Sequence, residues 1–368
     1  MIIKKFRANN FRNIESCDIE FAPGVNLLYG KNAQGKTNAM EGIYLFSRGK
    51  SFRGREDAEL VRFGTEGFRV FIEYESKNGT ETLEYAHFGR ERLRKKNGYK
   101  LGKLTEMIGS FKSVLFYPDN LEIVKGSPEE RRSFLNVAIS QCYPSYIKIY
   151  ADYKKALDNR NCILKLASKG MYFDERELEC WSSSLAEYAA DIHLFRINYL
   201  KKLELYAKAI IKDISEGVEE LDMLYESSVT VESGERDEIR ELYRRRLTEN
   251  IEKERLAGIT LYGPHRDDVR ISINGKDSRS YASQGQQRSV VLSLKLAEGE
   301  VIKEIFGEYP VFLFDDVLSE LDERRRKYVL SGVGERQIII TSCDEEEFLG
   351  FTERKIDVTG GTYVSSHR

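Results

Sequence analysis

The octapeptide GKNAQGKT, Gly30 to Thr37, places two glycines, a lysine and a hydroxyl at the spacing G-x-x-x-x-G-K-[ST]. Glycine at the first and sixth places lets the backbone wrap tightly, so that successive N–H groups converge on a polyanion. The amine and hydroxyl after the second glycine then offer a charge to outer phosphates and an oxygen to a magnesium ion. Gly30, Lys31, Asn32, Ala33, Gln34, Gly35, Lys36, Thr37 and Asn38 are thus the expected phosphate-binding segment, with Lys36 catalytic and Thr37 a metal ligand. A glycine-rich turn with an incidental lysine is the alternative. The surrounding order weighs against it, because VNLLYG reads as a short apolar strand and Met40, Ile43 and Tyr44 follow at helical spacing.

VFLFDD, Val311 to Asp316, runs apolar residues into two carboxylates. The pattern predicts a buried strand with acids at its C-terminal edge, where open α/β sheets bind ligands. Asp315 is the expected magnesium ligand, and Asp316 is placed to orient or deprotonate an attacking water. Alone, the pattern reads as well as a strand entering a turn. SQGQQR, Ser283 to Arg288, contains no acid, histidine or cysteine. It opens a run in which Val290, Val291, Leu294, Ala297, Val301 and Ile305 line one helical face. Ser283, Gly285 and Gln286 therefore stand at a helix N-terminus, a second anion-binding end. Lys36, Thr37 and the metal already serve one terminal phosphate, so this second end is expected to serve a nucleotide shared with another copy of the chain. Read in isolation, it is an N-capped helix.

The elements that must position these groups are legible in outline. Cys17, Ile19 and Phe21 alternate with acids, as do Phe68, Val70, Ile72 and Tyr74 with polar or exposed positions, which predicts half-buried strands. Asn97-Gly98 and Asn274-Gly275 are hairpin turn signals. From about Pro118 the texture becomes helical, and a helix from Glu175 to Ile214 would be roughly 60 Å long. A charged helix is predicted over 235–256 and another over 322–331, with strands at VLFYPDN, VFLFDD and QIIITS. The expected fold class is α/β, with mixed sheets and helices. A head formed by 1–115 and 255–368 is interrupted by a mainly helical arm at 116–254.

Composition bounds the function. The chain has 368 residues, 41% hydrophobic and 32% charged, with a formal net charge of -2. It lacks the run of roughly 20 apolar residues that a membrane span needs, and its start has no apolar signal core. A cytoplasmic protein is expected. The five cysteines are scattered and form no CxxC, which disfavours a zinc site or a disulfide framework. Near-neutral charge means that any nucleic-acid contact must come from a local patch. The candidate is RERLRKKNGYKLGK, in which Arg90, Arg92, Arg94, Lys95, Lys96 and Lys100 surround a predicted hairpin tip; a solvated edge hairpin is the equal alternative. Arg131, Arg132 and Arg244 to Arg246 are weaker candidates. His265 and Arg266 in GPHRDD read as a structural or coupling turn, and Trp181 as packing in the arm.

In this order the motifs resemble the ABC-type ATPase head of the SMC branch, a P-loop NTPase. Ser283 to Gln286 is similar to its signature motif, Ser319-Glu320-Leu321-Asp322 to its D-loop, and QIIITS to the strand carrying a switch residue, here Thr341. The length of the insertion, with NFRNI, KSFR, GSPEERRSFLN, GPHRDD and SQGQQR, resembles most closely the RecF family of bacterial recombination mediators. Asp316 stands where most ABC ATPases have glutamate, which implies slow hydrolysis, and no glutamine takes the Q-loop role. The resemblance implies a DNA-dependent ATPase that uses ATP and Mg²⁺, forms an ATP-dependent homodimer and binds duplex and gapped junction DNA. It would act with RecR and RecO to promote RecA loading in gap repair, replication restart and the SOS response. A nucleotide-binding subunit of a transporter and a purely structural SMC-like head are the alternatives.

Overall fold

Strand β1 (Ile2–Phe11) buries Ile3, then Phe6, Ala8 and Phe11. The step from Ile3 to Phe6 breaks the two-residue period at a register shift between Ile3 and Lys5, a bulge in the pairing with β4. β1 lies between β2 (Ile14–Glu20) and β4 (Gly67–Ser76). An antiparallel sheet of order β2-β1-β4-β5-β6-β7 is completed by β5 (Gly79–Phe88), β6 (Glu91–Lys96) and β7 (Tyr99–Lys100). Asn97 and Gly98 join the last two strands with φ of 50° and 81°. Both being positive, they match the twist of a two-residue hairpin turn. The structure is a computed structural model that describes residues 1–54, 56–231, 234–331, 335–348 and 350–367.

The second sheet has the order β15-β14-β3-β13-β12-β8. Its parallel strands are β3 (Val25–Tyr29), β8 (Ser113–Phe116), β12 (Val311–Asp315), β13 (Ile338–Ser342) and β14 (Arg354–Thr359), with β15 (Thr362–His367) antiparallel at the edge. Near-continuous apolar sequences such as VFLF and III suit strands covered on both faces. Helix α1 (Lys36–Arg48) joins one core with both sheets, its Met40, Ile43 and Phe46 meeting Phe6 and Phe11 of the first sheet and Leu313 and Ile339 of the second. Gly42 lets α1 approach the first sheet, because a Cβ there would stand 2.6 Å from the Phe6 ring.

The chain divides into two compact units, one of residues 1–121, 206–220 and 283–368 and the other of residues 122–205 and 221–282. Three segments, 116–121, 206–220 and 255–282, fall differently from the sequence expectation of a head at 1–115 and 255–368 and an arm at 116–254. Residues 255–282 join the second unit because β10 (Asp268–Ile273) pairs along its length with β9 (Leu221–Glu226), a strand the sequence reading had not assigned. Residues 206–220 join the first, where the Tyr206 hydroxyl donates to Glu304 at 2.9 Å and Arg324 pairs with Glu216 at 2.8 Å.

The second unit is helical around its small sheet. Its helices are α2 (Pro128–Cys142), α3 (Pro144–Ala167), α4 (Glu175–Ile214, continuing into the first unit), α5 (Arg236–Glu249) and α6 (Ile251–Ala257). Helices α7 (Gln284–Phe306) and α8 (Glu323–Ser331) belong to the first unit. Among the described residues no helix is long and apolar enough to cross a membrane.

Candidate functional site

β3 delivers the chain to Gly30, whose φ is 151° and whose Cβ would lie 2.3 Å from the Val358 carbonyl oxygen. A side chain has no room there, so glycine is what allows the loop to leave the sheet. Gly35, at φ 117°, starts α1. Lys36 is curled over the loop, where its Nζ donates to the carbonyls of Gly30 at 2.6 Å and Lys31 at 3.1 Å, and only 4% of the residue is exposed. Thr37 Oγ1 donates to Asp315 Oδ1 at 2.9 Å. The fold thus brings two motifs 278 positions apart into hydrogen-bond contact at the C-terminal edge of the parallel sheet.

Asp315 is nearly buried, and burial pushes its carboxyl above the ordinary 3.8 against the lowering effect of bonds from Thr341 and Thr37. Asp316, next along, has φ 53°, a left-handed conformation uncommon for a non-glycine residue and concentrated at functional sites. Burial raises its carboxyl too, while the Lys36 charge opposes the shift. The position of Thr341 differs from the switch role expected of it. It is 1% exposed, its Oγ1 donates to Asp315 Oδ1 at 2.9 Å, and it accepts from the Asp316 N–H at 3.0 Å. These contacts make it a holder of both acids, with no free face for a ligand. The side chain that reaches the loop from that strand is Cys343, whose Sγ donates to Asn32 Oδ1 at 2.8 Å and lies 3.5 Å from Lys36 Nζ.

Sequence reasoning missed a second feature. Glu41, one turn after Thr37, is fully buried and accepts from Arg12 at 2.8 and 3.0 Å, from Arg53 at 2.6 Å and from Ser51. Burial pushes its carboxyl up, but the bonds from Arg12, Ser51 and Arg53 outweigh it and hold it below the ordinary range. Arg53 also binds Asn38 of the phosphate-loop helix. The only available signal was an acid inside an apolar helix face, since its cations come from segments remote in sequence.

SQGQ forms a capping box at the exposed start of α7. Ser283 Oγ accepts from the Gln286 N–H at 3.2 Å, and Gln286 Oε1 accepts from the Ser283 N–H at 2.9 Å. The Ser283 hydroxyl proton and the N–H groups of Gln284 and Gly285 keep donor capacity outward. Among the described residues SQGQ makes no hydrogen bond to the phosphate loop. It is tied instead to the segment after β12, because Arg288 donates to the Glu320 carbonyl at 2.9 Å and pairs with its carboxylate at 3.0 Å. Arg325 bonds both Ser289 and Asp322.

The basic candidates separate by environment. Arg90 and Lys100 are exposed, Arg92 pairs with Asp57 at 2.6 Å, Lys95 with Glu84 at 3.5 Å and Lys96 with Glu81 at 2.7 Å, while Arg94 lies over the Tyr85 ring. In the second unit Arg131 is nearly buried in a fork on Asp268, and Arg132 donates to the Asp267 carbonyl. Arg244 pairs with Glu241, and Arg246 covers the Tyr262 ring. His265 is held between the Tyr153 hydroxyl at 2.6 Å and the Thr260 carbonyl oxygen at 3.2 Å, and burial lowers its pKa to about 4. Trp181 packs beside Ile163, Leu164 and Leu178.

A phosphate loop opposite an acid-ended strand, with a capped helix exposed elsewhere on the same unit, defines an ABC-type ATPase head. The family model described as the RecF/RecN/SMC N terminal domain matches residues 2–362. The "DNA replication and repair protein RecF" of Alkaliphilus oremlandii is 40% identical over 344 residues, 93% of this chain and 93% of that protein. Its counterpart in Clostridium kluyveri is 41% identical over 342 residues, 93% of this chain and 92% of that protein. The solved structure of "the recombination mediator protein RecF-ATP in RecFOR pathway" covers 99% of this chain and 97% of that chain at TM-score 0.92 and 38% identity. An Smc head domain derived from Pyrococcus furiosus is similar in fold, with TM-score 0.58 at 16% identity, covering 100% of this chain and 96% of that chain. The chain belongs to the RecF/RecN/SMC family and, within it, to the RecF proteins.

Proposed function

We propose that the chain is an ATP-gated DNA clamp of recombinational repair with a slow, DNA-stimulated ATPase. The observation that carries this reading is the bond between Thr37 and Asp315, which joins the phosphate loop to the acid-ended strand. Loop N–H groups cradle the phosphates, and Lys36 exchanges its carbonyl partners for the outer phosphates. Thr37 and Asp315 are the residues that would hold Mg²⁺. Two protein oxygens suit that ion, which keeps water and phosphate oxygens as its other ligands, and among the described residues no cluster of three or more acids, histidines or cysteines could hold a metal alone. Bound there, the ion supplies charge stabilisation to the transferred phosphoryl group. Asp316 orients or deprotonates the attacking water, and Thr341 keeps both acids in place.

The exposed Ser283 and the half-buried Gly285 and Gln286 serve the nucleotide of a second copy in a two-fold dimer. DNA binding favours the closed dimer and so speeds turnover. The relatives' names, a DNA replication and repair protein and a recombination mediator of the RecFOR pathway, support a place in recombinational repair. In this reading the chain acts in the cytoplasm with RecR and RecO to promote RecA loading on gapped DNA, in gap repair, replication restart and the SOS response. Sedimentation with Mg²⁺ and a non-hydrolysable ATP analogue, with and without gapped duplex, tests it. Wild type is expected to dimerise and carry DNA, and Ser283→Arg to bind nucleotide as a monomer. A wild type that stays monomeric under every condition while binding nucleotide would return SQGQ to the cap of a helix. Dimers without DNA-stimulated turnover would favour the structural head.

A further inference from the structure

β6 is near the open edge of the first sheet, and its register with β5 sets Arg92 opposite His87 and Arg94 opposite Tyr85. Directly opposite residues share a face, so these side chains form one wall of a groove, and Lys50, Ser51, Gly54, Glu56 and Asp57 line the other. The same register puts Lys95 opposite Glu84, on the other face, and Lys96 is held by Glu81. The basic stretch therefore divides: Arg90, Arg92 and Arg94 line the groove together with Lys50 of KSFR, which the sequence had not offered as a DNA contact.

Several polar groups of the groove have no partner among the described residues. Lys50 and Arg90 have no ion pair among the described residues. Arg94 Nε and His87 Nδ1 are buried without a hydrogen-bond partner, and His87 is only 7% exposed. A buried donor without an acceptor, such as Arg94 Nε, is costly, and the four cations lining the groove call for a ligand that is anionic and rich in oxygens. Two acids line the groove, Glu56 and Asp57, and Asp57 is bonded into this set. Asp57 accepts from Arg92 Nε at 2.6 Å and from the Tyr85 hydroxyl at 2.7 Å. A carboxylate held by a guanidinium and a hydroxyl occupies the place that a phosphate oxygen takes with the same donors.

We propose that this groove takes the phosphodiester backbone of DNA and that Asp57 is its placeholder, released from Arg92 and Tyr85 when a phosphate enters. The proposal rests on the DNA-binding reading above and adds to it which cations make the contact and what competes with them. Asp57 shields Arg92 until a polyanion strong enough to displace a carboxylate arrives. Weak anions are thereby rejected and a run of phosphates is selected.

The test is fluorescence anisotropy with gapped duplex DNA across a salt series, in the presence of Mg²⁺ and a non-hydrolysable ATP analogue. It compares wild type, Asp57→Asn, the triple variant Arg90→Ala/Arg92→Ala/Arg94→Ala and the control Lys95→Ala/Lys100→Ala. Asp57→Asn keeps an acceptor for Tyr85 and removes only the charge, and thermal unfolding of each variant reports its folding. Asp57→Asn is expected to bind roughly two- to fivefold tighter at fixed salt, the size of one exposed ion pair that no longer competes. The triple variant is expected to bind more weakly, with a salt slope shallower by roughly 2–3, and the control to change little. Tight binding by the triple variant with an unchanged slope overturns the groove as the DNA surface. Loss in the triple variant with Asp57→Asn equal to or weaker than wild type overturns the placeholder and leaves the DNA reading standing. No DNA binding by wild type overturns both.

Discussion

At the scale of single residues, the nucleotide site holds charges that the folded chain would be more stable without. Asp315 is pushed above its ordinary 3.8 by burial, and the neighbouring carboxylate of Asp316 adds to the shift. Between the ordinary and the raised value the folded state binds more protons than the unfolded one, so stability falls as pH rises through that window and stays lower above it. Asp315→Asn removes this cost and can still accept from Thr37 and Thr341 through its amide oxygen. Its melting temperature without nucleotide is expected to exceed wild type at neutral pH and to approach it below the ordinary aspartate range. Mg²⁺-dependent turnover is expected to be lost, and a lower melting temperature at neutral pH would refute the account. Asp316→Asn is expected to slow hydrolysis by roughly 10²–10⁴ if it is the base, with dimers that persist longer in sedimentation. The motif residues were readable because their chemistry demands fixed spacing along the chain. The Glu41 hub and the approach of Cys343 to Lys36 were not, because their partners lie 10 to 29 and 307 positions away. Thr341 was expected as a switch residue, but only the packed strand reveals that its hydroxyl is engaged by the Asp315 carboxylate and the Asp316 N–H.

Among elements, those set by local chemistry were the readable ones. The strands VFLFD and IIITS, the two Asn-Gly turns and the helix Glu175–Ile214 follow from apolar runs, turn residues and the absence of proline. The helix expected over 235–256 is instead two helices broken at Asn250, whose amide donates to the Arg246 carbonyl. β9 escaped notice because it is short and defined by its pairing with β10, a contact made across the intervening α5 and α6. What fastens that return is a buried ion pair. Arg160 of α3 meets Glu254 of α6 at 2.6 Å with neither exposed, and it also donates to Ser182 and Thr260. Glu254 accepts in turn from the Leu261 N–H. Removing one partner strands a buried charge, so Arg160→Ala is expected to cost about 3–5 kcal/mol, measured by denaturant unfolding. Arg160→Met/Glu254→Leu is expected to recover part of the loss but not all, since the Leu261 N–H would lack its acceptor, while Ser182 and Thr260 keep their bonds to Leu178 and Asn161.

For the molecule as a whole, the phosphate loop and SQGQ are both complete within one chain, yet no hydrogen bond joins them among the described residues, and SQGQ is exposed. A site shared between two copies makes a prediction that no single-chain site can meet. Lys36→Met spoils the loop and leaves SQGQ intact, whereas Ser283→Arg does the reverse, so each is expected to be nearly inactive alone. In a mixed dimer one of the two sites receives both defects, while the other pairs the sound loop of one chain with the sound SQGQ of its partner. Neither variant makes a sound site with itself, whereas each mixed dimer has one of two, so turnover is expected to return to at most roughly half of wild type. The recovery should scale with the product of the two variant concentrations while dimerisation is limiting, as steady-state ATP hydrolysis in the presence of gapped DNA would show. A mixture no more active than the sum of its parts, under conditions where mixed dimers are seen to form, would mean that each chain completes its own site, and the exposed donors of SQGQ would then need another ligand.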